Sequence, residues 1–198
     1  YKDRLVVFGI TIVTALVAGV VLFTGALVQG VVGFGFGMVS MAALPFLFDV
    51  RFCVALVCAF GLFVNGSVLI QTRVHMDPQK FAPLLYGGIV GIPLGVGFLY
   101  AANEQVVRLT LGGVIVAYVL WSLLGGEAAK QDLSARWGYF AGFVGGALGG
   151  AFNTGGPPAV MYASSKAWEP GAVKATLQVF FVMSTVTQLI LYSITGLL

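Results

Sequence analysis

Charge is what this chain has least of. Asp, Glu, Lys and Arg make up 9% of its 198 residues, against roughly 25% in a typical soluble domain. All seven carboxylates (Asp3, Asp49, Asp77, Glu104, Glu127, Asp132 and Glu169) fall in predicted loops or at predicted helix ends, and so does the single histidine, His75. No Ser-His-Asp or Cys-His constellation and no His-and-acid metal cluster can be assembled from these positions, so the chain is not expected to be an enzyme or to hold a metal or cofactor. The two cysteines, Cys53 and Cys58, are five apart on one predicted helix. Their Cα atoms would then be about 8–9 Å apart, too far for a disulfide, and they read as small core residues. The ten Lys and Arg residues stand singly and form no basic stripe, so the net charge of +3 does not read as affinity for nucleic acid.

What is present is apolar: 59% of the residues are hydrophobic and the mean hydropathy is +1.01. The apolar runs approach the ~20 residues that a spanning helix needs, and a barrel would show short alternating strands instead. The fold class expected is therefore an all-α integral membrane protein, a polytopic helical bundle in one transmembrane domain covering residues 1–198. Leu5 to Thr24 reads as a first, extra N-terminal helix. Phe52 to Gln71, Phe81 to Ala101, Val106 to Leu124 and Gly171 to Leu198 read as further spans, with 125–136 the longest polar loop.

Two stretches break this pattern. In Gly25 to Phe48, the glycines 30, 33, 35 and 37 divide a short helical piece from a second one, Met38 to Phe48, with Pro45; a re-entrant hairpin and a single discontinuous helix both fit. The second stretch is Trp137 to Pro170, centred on Gly145 to Pro158, whose six glycines and two adjacent prolines exclude an unbroken helix. In lipid, opened backbone is tolerated only where protein or a wet cavity receives it. The two stretches resemble each other. Gly142 and Gly150 lie 117 positions after Gly25 and Gly33, and past the break the offset becomes 120, pairing Ala55 with Ala175, Phe60 with Phe180, Leu69 with Leu189 and Ile70 with Ile190. The sequence is read as two repeats, 25–124 and 137–198, with three residues inserted at Asn153 to Pro158. The first repeat has two spans with no counterpart after Leu198, which predicts roughly 40–50 further C-terminal residues by the logic of paired repeats; a natural one-and-a-half repeat is the alternative.

If both broken stretches are re-entrant, Lys2, Arg4, Arg73, Lys80, Lys130, Arg136 and Lys166 share one face, with Arg51 and Arg108 opposite. The positive-inside rule then puts the rich face and the N-terminus in the cytoplasm and the repeats in inverted orientation, with the cell's inner (plasma) membrane as the expected location.

Lys174, Gln178, Phe181, Thr185 and Gln188 follow spacings of four, three, four and three, so four polar groups occupy one stripe of the last helix and face the bundle. Lys174 could equally snorkel to the headgroups while the others act as interhelical glue. The matching stripe in the first repeat retains only Asn65. Half-helices beginning near Met38 and Ala159 would aim free N–H groups at mid-membrane, a cradle for an anion. Gly33, Gly35, Gly37, Gly155 and Gly156 would let backbone approach a ligand, and Gln29, Asn153 and Thr154 would donate hydrogen bonds. The run Gly138, Gly142, Gly146 and Gly150 is assigned instead to tight helix crossing.

These motifs, Gly30-Val31-Val32-Gly33-Phe34-Gly35-Phe36-Gly37 leading to Pro45 and Gly149-Gly150-Ala151-Phe152-Asn153-Thr154-Gly155-Gly156-Pro157-Pro158 leading to Tyr162, resemble the TauE/SafE (TSUP) family. The resemblance implies seven or eight helices in two repeats and transport of sulfite, organosulfonates or related anions. The reading is a secondary transporter of small, sulfur-containing anions. Substrate would bind near mid-membrane to Gln29, Gly33, Gly35, Gly37, Asn65, Asn153, Thr154, Gly155, Gly156, Lys174, Gln178, Thr185 and Gln188. An anion channel and a non-transporting membrane assembly or biogenesis factor are the alternatives. The partners expected are the anion and the lipid bilayer, with homo-oligomerisation left open.

Overall fold

The computed structural model describes residues 6–7, 10–123 and 133–196. The expectations for Lys2, Asp3, Arg4, Leu5, Leu124, Glu127, Lys130, Asp132 and Leu198 lie outside the described residues. Two two-residue strands, β1 (Val6–Val7) and β2 (Ile10–Thr11), pair antiparallel ahead of eight helices. These are α1 (Ile12–Val32), α2 (Phe36–Ala43), α3 (Val50–Thr72), α4 (Pro78–Ala101), α5 (Glu104–Leu123), α6 (Ala135–Phe152), α7 (Gly156–Ser165) and α8 (Pro170–Thr195). Short 3-10 turns follow α2 at Leu44–Phe46, around Pro45, and α3 at Arg73–His75. Five of the helices are long and apolar enough to cross a membrane.

The division expected at Thr24 and Gly25 does not occur. α1 runs through Gly25 and Gly30 to Val32, because Gly25 serves packing: a Cβ there would stand 3.1–3.2 Å from Phe36 and Ser40 of α2. The break narrows to residues 33–35, where Gly33 and Gly35 take φ of +92° and +117°, a region closed to most side chains. α2 then begins at Phe36 and α7 at Gly156, earlier than the expected Met38 and Ala159.

α2 runs back antiparallel along α1. Its far end is fixed by Arg108 Nη1, which donates to Pro45 O at 2.9 Å, and Arg51 Nη2 donates to Ala102 O nearby at 2.9 Å. At the other end of the bundle His75 packs on Gly171 and Lys80 stands over the Trp168 ring. The Ile12 end of α1 therefore lies with Pro45, Arg51 and Arg108. The expectation that the N-terminus shares a face with Arg73 and Lys80 rested on two separate segments, which α1 merges into one.

α4 and α6 run parallel at backbone contact. A Cβ on Gly87, Gly91 or Gly95 would strike α6 main chain, and one on Gly142, Gly146 or Gly150 would strike α4 main chain. Gly138 meets Pro83 and Tyr162. These close approaches give van der Waals packing between helices where lipid supplies no hydrophobic drive. The main core cluster lies between α2, α3, the C-terminal parts of α4, α6 and α8 and the start of α5, around Met41, Leu44, Val54, Leu99, Phe152 and Tyr192.

Candidate functional site

The two breaks meet. A Cβ on Gly37 would strike the carbonyl oxygen of Asn153, and one on Gly156 would lie 3.4 Å from the Phe34 ring. Around this crossing is a cavity of about 50 Å³, room for about four water-sized groups at the ~10–15 Å³ that one water occupies. Its lining includes Gln29, Gly35, Gly37, Met38, Asn65, Gly145, Gly149, Asn153, Gly155, Gly156, Ser184, Thr185 and Gln188, with Phe36, Phe180 and Phe181 as apolar walls.

The first turn of a helix leaves N–H groups without intrahelical acceptors. In α2 the Phe36 N–H is received by Gln29 Oε1 at 3.1 Å, whereas those of Gly37 and Met38 donate to no carbonyl, and the first backbone bond is Val39 N–H to Gly35 O. In α7, Pro157 and Pro158 have no N–H, so Gly156 supplies the free donor of the first turn. Ser184 is 6% exposed and its Oγ has no partner, although serine in a membrane helix ordinarily bonds the carbonyl four residues earlier, as Ser67 and Ser193 do here. Gln188 Oε1 accepts from Cys58 Sγ at 3.5 Å, and its Nε2 lies 3.4 Å from the Cβ position of Gly149. The cavity is thus rich in neutral donors, and no Asp, Glu, Lys, Arg or His lines it.

Behind these donors is an amide network. Gln29 Nε2 donates to Asn65 Oδ1 at 2.6 Å and to Gln178 Oε1 at 3.3 Å, and Gln178 Nε2 donates to Gly33 O at 2.6 Å. One side chain of α1 thereby ties together α2, α3 and α8.

Of the residues expected at the site, Gln29, Gly35, Gly37, Asn65, Asn153, Gly155, Gly156, Thr185 and Gln188 are brought to the cavity wall. Gly33, Thr154, Lys174 and Gln178 are not. Gly33 and Gln178 belong to the network, Thr154 is buried with an unpartnered hydroxyl, and Lys174 Nζ donates to Val31 O at 2.7 Å, where a cation suits the negative end of α1. Ser184 was not singled out from sequence, and Met38 only as the start of a half-helix. The only signal for Ser184 is its position four residues before Gln188.

Asn153 fixes the second break through its backbone and its side chain together. It sits in left-handed conformation, φ +56°, and its Nδ2 donates to Val54 O at 2.7 Å. Asn153→Ala should cost about 1–2 kcal/mol of left-handed strain plus about 1 kcal/mol for the lost bond. Asn153→Gly loses only the bond. Thermal unfolding in detergent should therefore rank parent, Gly, Ala in falling order; equal midpoints for the two variants would remove the backbone part of this account.

The model of the family described as "Sulfite exporter TauE/SafE" matches residues 16–198. A curated relative, the "Probable sulfite/organosulfonate exporter TauE" of Cupriavidus necator, is 29% identical over 175 residues, covering 83% of this chain and 67% of the relative. No solved structure matches. The family match spans nearly the whole chain, and the apolar helices have the length to cross a bilayer; the chain belongs to the sulfite exporter TauE/SafE family and is a multi-pass membrane transporter, not an enzyme.

Proposed function

We propose that the protein moves small sulfur-containing anions, sulfite or a short organosulfonate, across the cell's inner membrane, and that the cavity between the two helix breaks is the binding site. The observation that carries this is the convergence there of donors without protein acceptors: the N–H groups of Gly37, Met38 and Gly156 and the hydroxyl of Ser184. In a water-poor interior such donors stabilise negative charge, and the dipoles of two helix starts add to it. The relative's printed name points to the same substrates.

An inverted repeat accounts for the way α3 and α8 cross. Cys58 Sγ contacts Thr185 O at 3.7 Å, and Asn65 and Gln178 meet through Gln29. An offset of 120 turns Cys58 into Gln178 and Asn65 into Thr185, so the two meetings exchange. The same offset turns Val54, whose carbonyl is held by Asn153, into Lys174, which holds Val31 O beside the first break. On this reading the α1–α2 and α6–α7 hairpins enter from opposite faces, and substrate at their crossing reaches each face in turn.

In proteoliposomes, Ser184→Ala should raise the KM for sulfite about tenfold, the effect of losing a hydrogen bond to a charged group worth about 1.5 kcal/mol. Its thermal midpoint should stay at the parent value, because the hydroxyl bonds no protein atom. A parental KM would remove Ser184 from the site, and absence of saturable flux for any small anion in the parent would remove the transport reading itself.

A further inference from the structure

We propose that the site selects for the charge state of its ligand and accepts a monoanion, excluding the dianionic form of the same oxyanion. This rests on the binding site proposed above. Every donor that reaches the cavity is neutral, among them three backbone N–H groups, the Ser184 and Thr185 hydroxyls and the Gln188 amide. Four or five such donors can replace the water around one negative charge. A second charge of the same sign, held in the same cavity, needs a cation beside it, since an unpaired charge away from water is disfavoured far more than a hydrogen-bonded one.

The structure shows where the cationic and titratable groups near the cavity are engaged. Lys174 of α8 is committed to Val31 O and does not line the cavity. Cys58 of α3 donates its thiol to Gln188 Oε1 and Thr185 O, and Tyr192 of α8 donates to Gly150 O at 2.6 Å. Tyr139 of α6 stacks on Tyr86, and Tyr162 of α7 lies against Gly138 and Trp168. Among the described residues, α1 and α2 bring no titratable side chain to the cavity. The site therefore has no proton of its own to lend to a second charge, and the ligand must arrive with one.

Sulfite tests this because its second ionisation falls near neutrality, whereas a short alkanesulfonate is a monoanion throughout. Initial flux of each would be measured at fixed total concentration and graded pH in proteoliposomes, with the flux of protein-free liposomes subtracted and Ser184→Ala run beside the parent. The expected result is a sulfite flux that falls about tenfold per pH unit above that ionisation, as the hydrogensulfite fraction does, with a sulfonate flux that stays flat. Sulfite flux that is flat or rises with pH beside a flat sulfonate flux overturns the selection while leaving the site in place. Parallel slopes for both anions also overturn it, since they report titration of the protein. Flux of both anions unaffected by Ser184→Ala overturns the site, and the selection with it.

Discussion

Gly37→Ala is expected to remove transport and most of the folded protein, while Gly97→Ala leaves both near the parent level. The Gly37 methyl would occupy the position of the Asn153 carbonyl oxygen, a backbone atom held on one side by the turn from Gly149 O to Asn153 N and on the other by the Asn153 side chain on Val54. Overpacking of a well-filled site costs about 1–3 kcal/mol where side chains can yield, and here neither partner is a side chain. Relief would require the two hairpin tips to separate, which also opens the cavity. Gly97 has no atom within 4 Å of its Cβ position, so it controls for the loss of a glycine as such. Thermal unfolding in detergent and sulfite flux should both show the contrast; a Gly37→Ala protein that melts and transports like the parent would mean that the breaks do not touch.

Gln29→Leu should have the next largest effect, about 3 kcal/mol of stability with flux lost in proportion to the folded fraction. Gln29 is 2% exposed, and three of the four hydrogen-bonding valences of its amide are filled, by Phe36 N–H, Asn65 Oδ1 and Gln178 Oε1. A buried group left unpaired costs about 1–3 kcal/mol, and average interhelical hydrogen bonds in membranes cost less when removed because partners find one another. The Asn65 and Gln178 side chains can do so. The Phe36 N–H cannot, since it is fixed at the start of α2, and the first turn of that helix then loses its anchor. Asn65→Ala removes one acceptor and should cost about 1 kcal/mol. If both variants lower the melting temperature equally, Gln29 is no hub.

Because a run of glycine and proline has few other uses in an apolar chain, the glycine pattern made the two breaks and the close-packing face of α6 legible in the residues, though not its partner α4. The spans were legible within a few residues for α3, α4, α5 and α8, where a long apolar run has only one structural outcome in lipid. The continuity of α1 was not. Whether a glycine inside an apolar run interrupts a helix depends on what approaches it, and Phe36 and Ser40 approach Gly25 only in the folded chain. The polar stripe of α8 was visible as a stripe, but its division of labour was not: Lys174 finds Val31 O, Gln178 finds Gly33 O, and Thr185 and Gln188 face the cavity. Ser184 was missed for a related reason. Serine in a membrane helix normally satisfies itself on its own backbone, so nothing in the sequence distinguishes Ser184 from Ser67 or Ser193.

The parallel seam between α4 and α6 restricts how such a protein can move. Gly87, Gly91 and Gly95 on one side, and Gly142, Gly146 and Gly150 on the other, seat main chain directly on main chain. No layer of side chains lies there to act as a bearing, so neither sliding nor rolling is available without unseating whole turns. The pair behaves as a single beam that happens to be made of two lengths of chain. Its α6 half carries one edge of the cavity on Gly145, Gly149 and Asn153, while Gly35, Gly37 and Met38 form the edge on the α1–α2 hairpin. On the proposed function, opening the cavity to one face and then the other would fall to that lightly covered hairpin, moving against the beam.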